Sequence, residues 1–146
     1  MKQARGLRNN NPGNIRHSSD RWQGASSIQR DAAFVTFDDP VWGIRALARV
    51  LLSYQDRHGL TTVRGIISRW APPSENDTES YISMVTARMN IGPDHELNLH
   101  DHADLDPLLR AIIWHENGSQ PYPQDVIDRA LLLAGVPRQA KPLAAT

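Results

Sequence analysis

The placing of proline and glycine between apolar runs constrains this chain more than any other feature of its sequence. Asp39-Pro40 reads as a helix start, with aspartate as N-cap and proline at the first helical position, where its missing N–H has no partner to lose. Val41, Ile44, Leu47, Ala48, Leu51 and Tyr54 then recur at helical spacing until Gly59 ends the run. A shorter helix from about Thr62 to Trp70 turns Val63, Ile66, Ile67 and Trp70 inward, and Pro72-Pro73 breaks it. Ser74-Glu75-Asn76-Asp77 caps a third helix carrying Tyr81, Ile82, Val85 and Met89. Residues 90–105 read as a polar loop, after which Asp106-Pro107 repeats the Asp-Pro device and opens a helix that runs to Gly118. Pro123 begins a last helix, with Val126, Ile127, Ala130, Leu131 and Ala134 inward and Gly135 closing it.

The pattern predicts a mainly α protein. Residues 5–38 differ from the rest: they are rich in Asn, Gly, Ser and Arg, with a short alternation at Phe34-Val35-Thr36-Phe37. They read as a small irregular lobe of loops with a β-hairpin. A chain of 146 residues suits one core, so a single domain is expected over 1–136, with 137–146 as a flexible tail. The 16 basic and 16 acidic side chains cancel, so a nucleic acid or an anionic membrane would need a local patch to bind, and neither is an expected partner. No apolar run is long enough to cross a bilayer. Cysteine is absent, which excludes disulfides, thiol catalysis and thiolate zinc sites. The opening Met1-Lys2-Gln3-Ala4-Arg5-Gly6-Leu7-Arg8 is basic but has no apolar stretch behind it, unlike a Sec signal peptide. The expectation is synthesis in the cytoplasm and, for any target outside it, another delivery route.

The chemistry concentrates at the end of the fourth long helix. Leu108, Leu109, Ile112 and Ile113 recur at helical spacing, and one turn on the same face reaches Glu116, just before the stop at Gly118. An acid there gains nothing from the helix dipole, and apolar neighbours disfavour its ionised form, so its proton should be held unusually tightly. A carboxylic acid still protonated near neutral pH is what cleavage of a glycosidic bond requires. Glu116 is therefore the leading catalytic candidate, against the plainer reading of an exposed helix-end acid. The polar run Trp114-His115-Glu116-Asn117 favours the catalytic reading, and His115 and Asn117 join it as candidate substrate contacts.

Other polar stretches supply the remaining candidates. In Arg8-Asn9-Asn10-Asn11-Pro12-Gly13-Asn14-Ile15-Arg16 the amides and guanidinium groups suit a polyhydroxylated ligand, which makes Asn10, Asn11, Asn14 and Arg16 candidate binding residues. The competing reading is a tight turn. Tyr81 could offer a hydroxyl to Glu116, Asn76 could bind substrate, and Glu75 is the leading second carboxylate, ahead of Asp31, Asp38 and Asp39. His95, His100 and His102 with Asp94, Asp101 and Asp104 could in principle hold zinc, but no helical zinc motif accompanies them. No metal or other cofactor is expected.

Together the Asn-rich opening, Trp70-Ala71-Pro72-Pro73-Ser74-Glu75-Asn76-Asp77-Thr78 and His115-Glu116-Asn117-Gly118 resemble small phage or prophage peptidoglycan-processing proteins of the lysozyme-like superfamily. The resemblance covers nearly all of residues 5–135. In lytic transglycosylases and related glucosaminidases the helix ending in the catalytic Glu comes early, an Asn- and Gly-bearing segment follows, and a helix with Tyr near its start comes later. Here the piece similar to the first lies near the C-terminus, which implies a circularly permuted lysozyme-like fold, a rearrangement that neighbouring chain ends make easy. The chain departs from the pattern in having Asn117 where Ser often follows the catalytic Glu, and in lacking a clear second catalytic carboxylate. The resemblance implies that Glu116 protonates the bond between N-acetylmuramic acid and N-acetylglucosamine, as a lytic transglycosylase or a muramidase. Tyr81 and Asn14 would orient acid and substrate, and Trp22, Trp42 or Trp70 would stack on sugars. It implies peptidoglycan glycan strands as the partner, action at the bacterial cell wall or periplasm, and delivery by phage or secretion-system proteins. Two alternatives are a non-catalytic virion-associated module that keeps the fold and a zinc-dependent cell-wall peptidase.

Overall fold

The computed structural model describes residues 3–139, and the chain is mainly helical. Among the described residues the helices are α1 (Arg5–Arg8), α2 (Pro40–His58), α3 (Val63–Trp70), α4 (Thr78–Met89), α5 (His102–Asn117) and α6 (Gln124–Leu133). Side-chain caps close the starts of α2, α3 and α4, two of them at the expected Asp39 and Asp77. Asp39 accepts from the Val41 N–H, Thr62 from Gly65 and Asp77 from Ser80, each satisfying a donor the helix itself leaves open. At the other end of α2, Gly59 takes a left-handed conformation (φ 63°).

One boundary differs. Asp106-Pro107 does not open the Glu116 helix; α5 starts a turn earlier at His102, with the Asp101 side chain accepting from the Ala103 N–H. Pro107 lies inside the helix, where its ring displaces the carbonyl four residues back. That carbonyl belongs to Ala103, an exposed residue whose backbone water can reach. Asp106 is buried and receives the Arg110 guanidinium and the Gln124 side-chain amide, so it ties α6 to α5 instead of capping a helix.

The core sits around α5, which packs against α1, α2, α4 and α6. Leu108, Leu109, Ile112 and Ile113 are fully buried against Ile44, Leu47 and Leu51 of α2, Ile66 and Ile67 of α3, and Leu131 of α6 as one cluster. Each such side chain contributes roughly 1.5–3 kcal/mol by leaving water. This packing holds the last turn of α5, and with it Glu116, in one position.

The N-terminal lobe is irregular. The hairpin expected at Phe34–Phe37 is replaced by two isolated antiparallel bridges, Arg16 with Phe34 and Ala25 with Phe37. Asparagine side chains supply the bonds a ladder would have made. Asn11 Nδ2 donates to the carbonyls of Ile15 and Val35 while its Oδ1 accepts from the Ile15 N–H, and Asn10 Nδ2 donates to the Phe37 carbonyl. Arg5 of α1 pairs with Asp31 at 2.5 Å and latches the short helix onto the lobe. Of the expected tail at 137–146, only residues 137–139 are among those described: Arg138 donates to Asp128 at 3.0 Å, and residues 140–146 lie outside the described residues.

Candidate active site

Three elements converge on Glu116. Its place in the penultimate position of α5 turns it away from solvent on one side, leaving it half-buried. Glu116 Oε1 accepts from Asn14 Nδ2 at 3.0 Å, and Oε2 accepts from the Tyr81 hydroxyl at 2.9 Å. Asn14 comes from the N-terminal loop and Tyr81 from the first turn of α4, so residues 102 and 35 positions away in sequence meet on one carboxylate.

Each donor is itself held. Asn14 has φ 51°, in the left-handed region that asparagine tolerates better than most residues, and this conformation turns its amide toward α5. Tyr81 is buried; its hydroxyl accepts from Trp70 Nε1 at 3.1 Å, and its ring stacks on His115 with centroids 3.7 Å apart. Burial, and then the facing Glu116 carboxylate, holds the Tyr81 phenol well above its ordinary value. The hydroxyl therefore remains a proton donor to Glu116 throughout the physiological range and cannot act as a base.

Glu116 opens onto a cleft of about 550 Å³ that Asn14, Arg16, Trp70, Glu75 and Asn76 also line. Val50 and Tyr54 of α2 form its apolar wall. Glu75 and Asn76 are exposed, on the α3–α4 connection, and share the cleft with Glu116. Arg16 is exposed, with its guanidinium 5.3 Å from the Phe34 ring centroid. Trp70 is the one of the three expected sugar-stacking tryptophans that lines this cleft; Trp22 and Trp42 pack partly buried against the core.

Several candidates take structural positions instead. Asn11 is fully buried with both ends of its amide bonded to backbone, so no ligand can reach it. Asn10, at φ 52°, uses its amide on the Phe37 carbonyl and does not line the cleft. Asn117 donates to the Pro12 and Ile113 carbonyls, tying the loop that carries Asn14 to the end of α5. His115 stacks on Tyr81 and so supports the donor. Of the lesser acids, Asp31 holds Arg5, Asp38 accepts from Ser26, and Asp39 caps α2. The loop histidines do not converge: His100 pairs with Asp56 and His102 with Asp128. Among the described residues, His102, Asp106 and Asp128 are close enough to share a metal ion, but Arg110 and Arg138 already neutralise the two carboxylates and Gln124 bridges them.

Gly6 was not singled out by the sequence. A Cβ there would lie 2.5 Å from Asn117 Oδ1, 2.8 Å from the Asn11 carbonyl and 2.9 Å from Asn14 Oδ1. Only glycine lets α1 come this close to the asparagines that support Glu116. Its signal in the sequence is faint, a single glycine within Arg5-Gly6-Leu7-Arg8.

Fold and site define a mainly helical protein with an open cleft built around one acid held by an amide and a phenol. The chain belongs to the family of Protein P5 of Pseudoalteromonas phage PM2, to which it is 45% identical over 129 residues, covering 86% of this chain and 79% of that protein. No family model matches the chain. Among the described residues, no helix is long and apolar enough to cross a membrane.

Proposed function

We propose that this protein cleaves the glycan strands of peptidoglycan, with Glu116 as general acid. The observation that carries the reading is the paired contact on its carboxylate, Asn14 at 3.0 Å and Tyr81 at 2.9 Å, at the wall of a cleft large enough for sugar rings. Glu116 donates its proton to the glycosidic oxygen, and the two fixed donors then hold the carboxylate left behind. Asn76 and Arg16 offer hydrogen bonds to hydroxyl and acetamido groups, and Trp70 offers an apolar surface to a sugar face.

Two fates follow for the broken bond. Glu116 draws the proton from the muramoyl 6-hydroxyl, giving an anhydro end, or Glu75 in the same cleft activates water, giving a reducing end. The products differ by one water, which mass spectrometry of digested muropeptides resolves. The order of the pieces supports reading the fold as a circularly permuted lysozyme-like domain: the Asn14 loop first, the Tyr81 helix second, the Glu116 helix last. Membership of a phage protein family accords with delivery to the cell wall by phage components.

A zymogram on purified cell walls tests the assignment. Wild type clears the gel, and Glu116→Gln, which keeps the shape but cannot donate the acidic proton, loses about 10²–10⁴-fold of the rate. Clearing by both proteins removes Glu116 from the chemistry, and clearing by neither overturns the cleavage reading and leaves a non-catalytic virion module. Activity that a strong chelator abolishes would point to the metallopeptidase alternative.

A further inference from the structure

A second concave surface adjoins the cleft and has the opposite character from a sugar-binding wall. A groove of about 630 Å³ is lined by Arg21, Arg45, Arg49, Arg57 and Trp22, with Asp20 as its single carboxylate. Val50 lines both this groove and the Glu116 cleft, so the two adjoin on α2. The helix geometry explains why. Positions 45, 49 and 53 recur every four residues and share one face, while Val50 and Tyr54 lie on the adjacent face that borders the cleft.

These arginines are not absorbed by ion pairs. Among the described residues no carboxylate pairs with Arg21, Arg45, Arg49 or Arg57. Arg45 Nε donates to the Leu133 carbonyl and Arg49 NH1 to the Ala134 carbonyl, so the end of α6 anchors both side chains. Each guanidinium has five N–H donors, so these single bonds leave most of them unused. Burial, and then the neighbouring Arg49 charge, holds the Arg45 guanidinium below its ordinary value, as expected of cations crowded without a counter-charge. The chain as a whole has no net charge, so this concentration is local.

Resting on the glycan-cleavage reading above, we infer that the arginine groove binds the carboxylate groups of the peptides that branch from the strand whose sugars occupy the Glu116 cleft. The sugar backbone offers few anionic groups, whereas its peptide branches end in and carry free carboxylates, which guanidinium forks bind in bidentate fashion. The shared wall at Val50 puts such a branch within reach while the sugars remain in the cleft. A nucleic acid or an anionic membrane fits less well, since the groove has an aspartate among its lining residues on a chain of zero net charge.

Sedimentation of the Glu116→Gln chain with purified murein sacculi measures this binding without turnover. Arg21→Glu with Arg57→Glu is the informative variant, because both residues are exposed and their side chains donate no hydrogen bond among the described residues; matching thermal melts confirm folding. The expected result is a dissociation constant about tenfold or more higher for the variant on native sacculi. Sacculi whose carboxyls have been converted to amides should bind both forms equally weakly. Equal affinity of both forms for native sacculi overturns the inference, as does a difference between the two forms that survives amidation. Tighter arginine-dependent binding to duplex DNA or to phosphatidylglycerol vesicles than to sacculi overturns it in favour of those partners. Sacculus binding that depends on the arginines, alongside a zymogram that neither wild type nor Glu116→Gln clears, would remove the cleavage reading and leave the groove.

Discussion

At the scale of single residues, the site is a chain of donors ending on one acid. Trp70 donates to Tyr81, and Tyr81 donates to Glu116, whose other oxygen receives Asn14. The buried phenol stays protonated, so under the proposed cleavage its part is to hold the carboxylate once the proton has left. Tyr81→Phe keeps the ring, its burial and its stack on His115 but removes that bond. Its rate of cell-wall lysis, followed as loss of turbidity, should fall about 10²-fold. The melting temperature should fall by only a few degrees, since the unpaired Trp70 N–H costs about 1 kcal/mol. An unchanged rate would deny Tyr81 its part. The same small region contains two oxygens, Asn14 Oδ1 and Asn117 Oδ1, that are buried without a donor among the described residues. Buried acceptors left unmet mark places where local stability is commonly given up for function, which accords with the proposed role of the neighbouring carboxylate.

Between elements, the decisive contact is α1 against the end of α5. Asn117 reaches the Pro12 carbonyl, and Gly6 leaves room for Asn117 and Asn14 to approach α1 together. Gly6→Ala should cost about 1–3 kcal/mol, the range for forcing a methyl group into a filled space. It should also lower the lytic rate, because Asn14 is among the atoms that must shift. Gly92→Ala is the control: a Cβ there meets nothing within 4 Å, and the melting temperature should hold. Equal behaviour of the two variants would show that the close approach is unimportant. Element starts were largely readable because caps are local chemistry, as Asp39, Thr62 and Asp77 illustrate. Asp106-Pro107 misled for the same reason. A local signal suited to a helix start sits inside α5, where Asp106 serves Arg110 and Gln124, and the second of these lies 18 residues on.

For the molecule as a whole, the N-terminal lobe depends on an ion pair more than on regular structure. Arg5 donates to both oxygens of Asp31, and Asp31 also receives Asn9, Ala33 and Phe34. The Arg5 guanidinium foremost, then the Ala33 N–H, holds the Asp31 carboxyl well below the usual carboxylate range. Its folded value lies below that of the unfolded chain, so the ionised group stabilises the fold above about pH 4 and that contribution fades as pH falls further. Asp31→Asn should therefore melt below wild type at pH 7, with the gap narrowing from about pH 4 downward. A gap independent of pH would assign the loss to hydrogen bonding alone.

The sequence by itself determined the five longer helices, most of their starts and the candidacy of Glu116, since apolar periodicity and capping are interactions between near neighbours. It also pointed to the asparagine-rich opening, but it could not tell ligand contacts from scaffold. Asn9, Asn10 and Asn11 spend their amides on Asp31 and on nearby backbone, and Asn14 alone of the group turns to Glu116. Only the tertiary structure decided that division, the place of Gly6 and the arginine groove. Each arises from close packing between segments far apart in the chain, and no local pattern records which surfaces will meet.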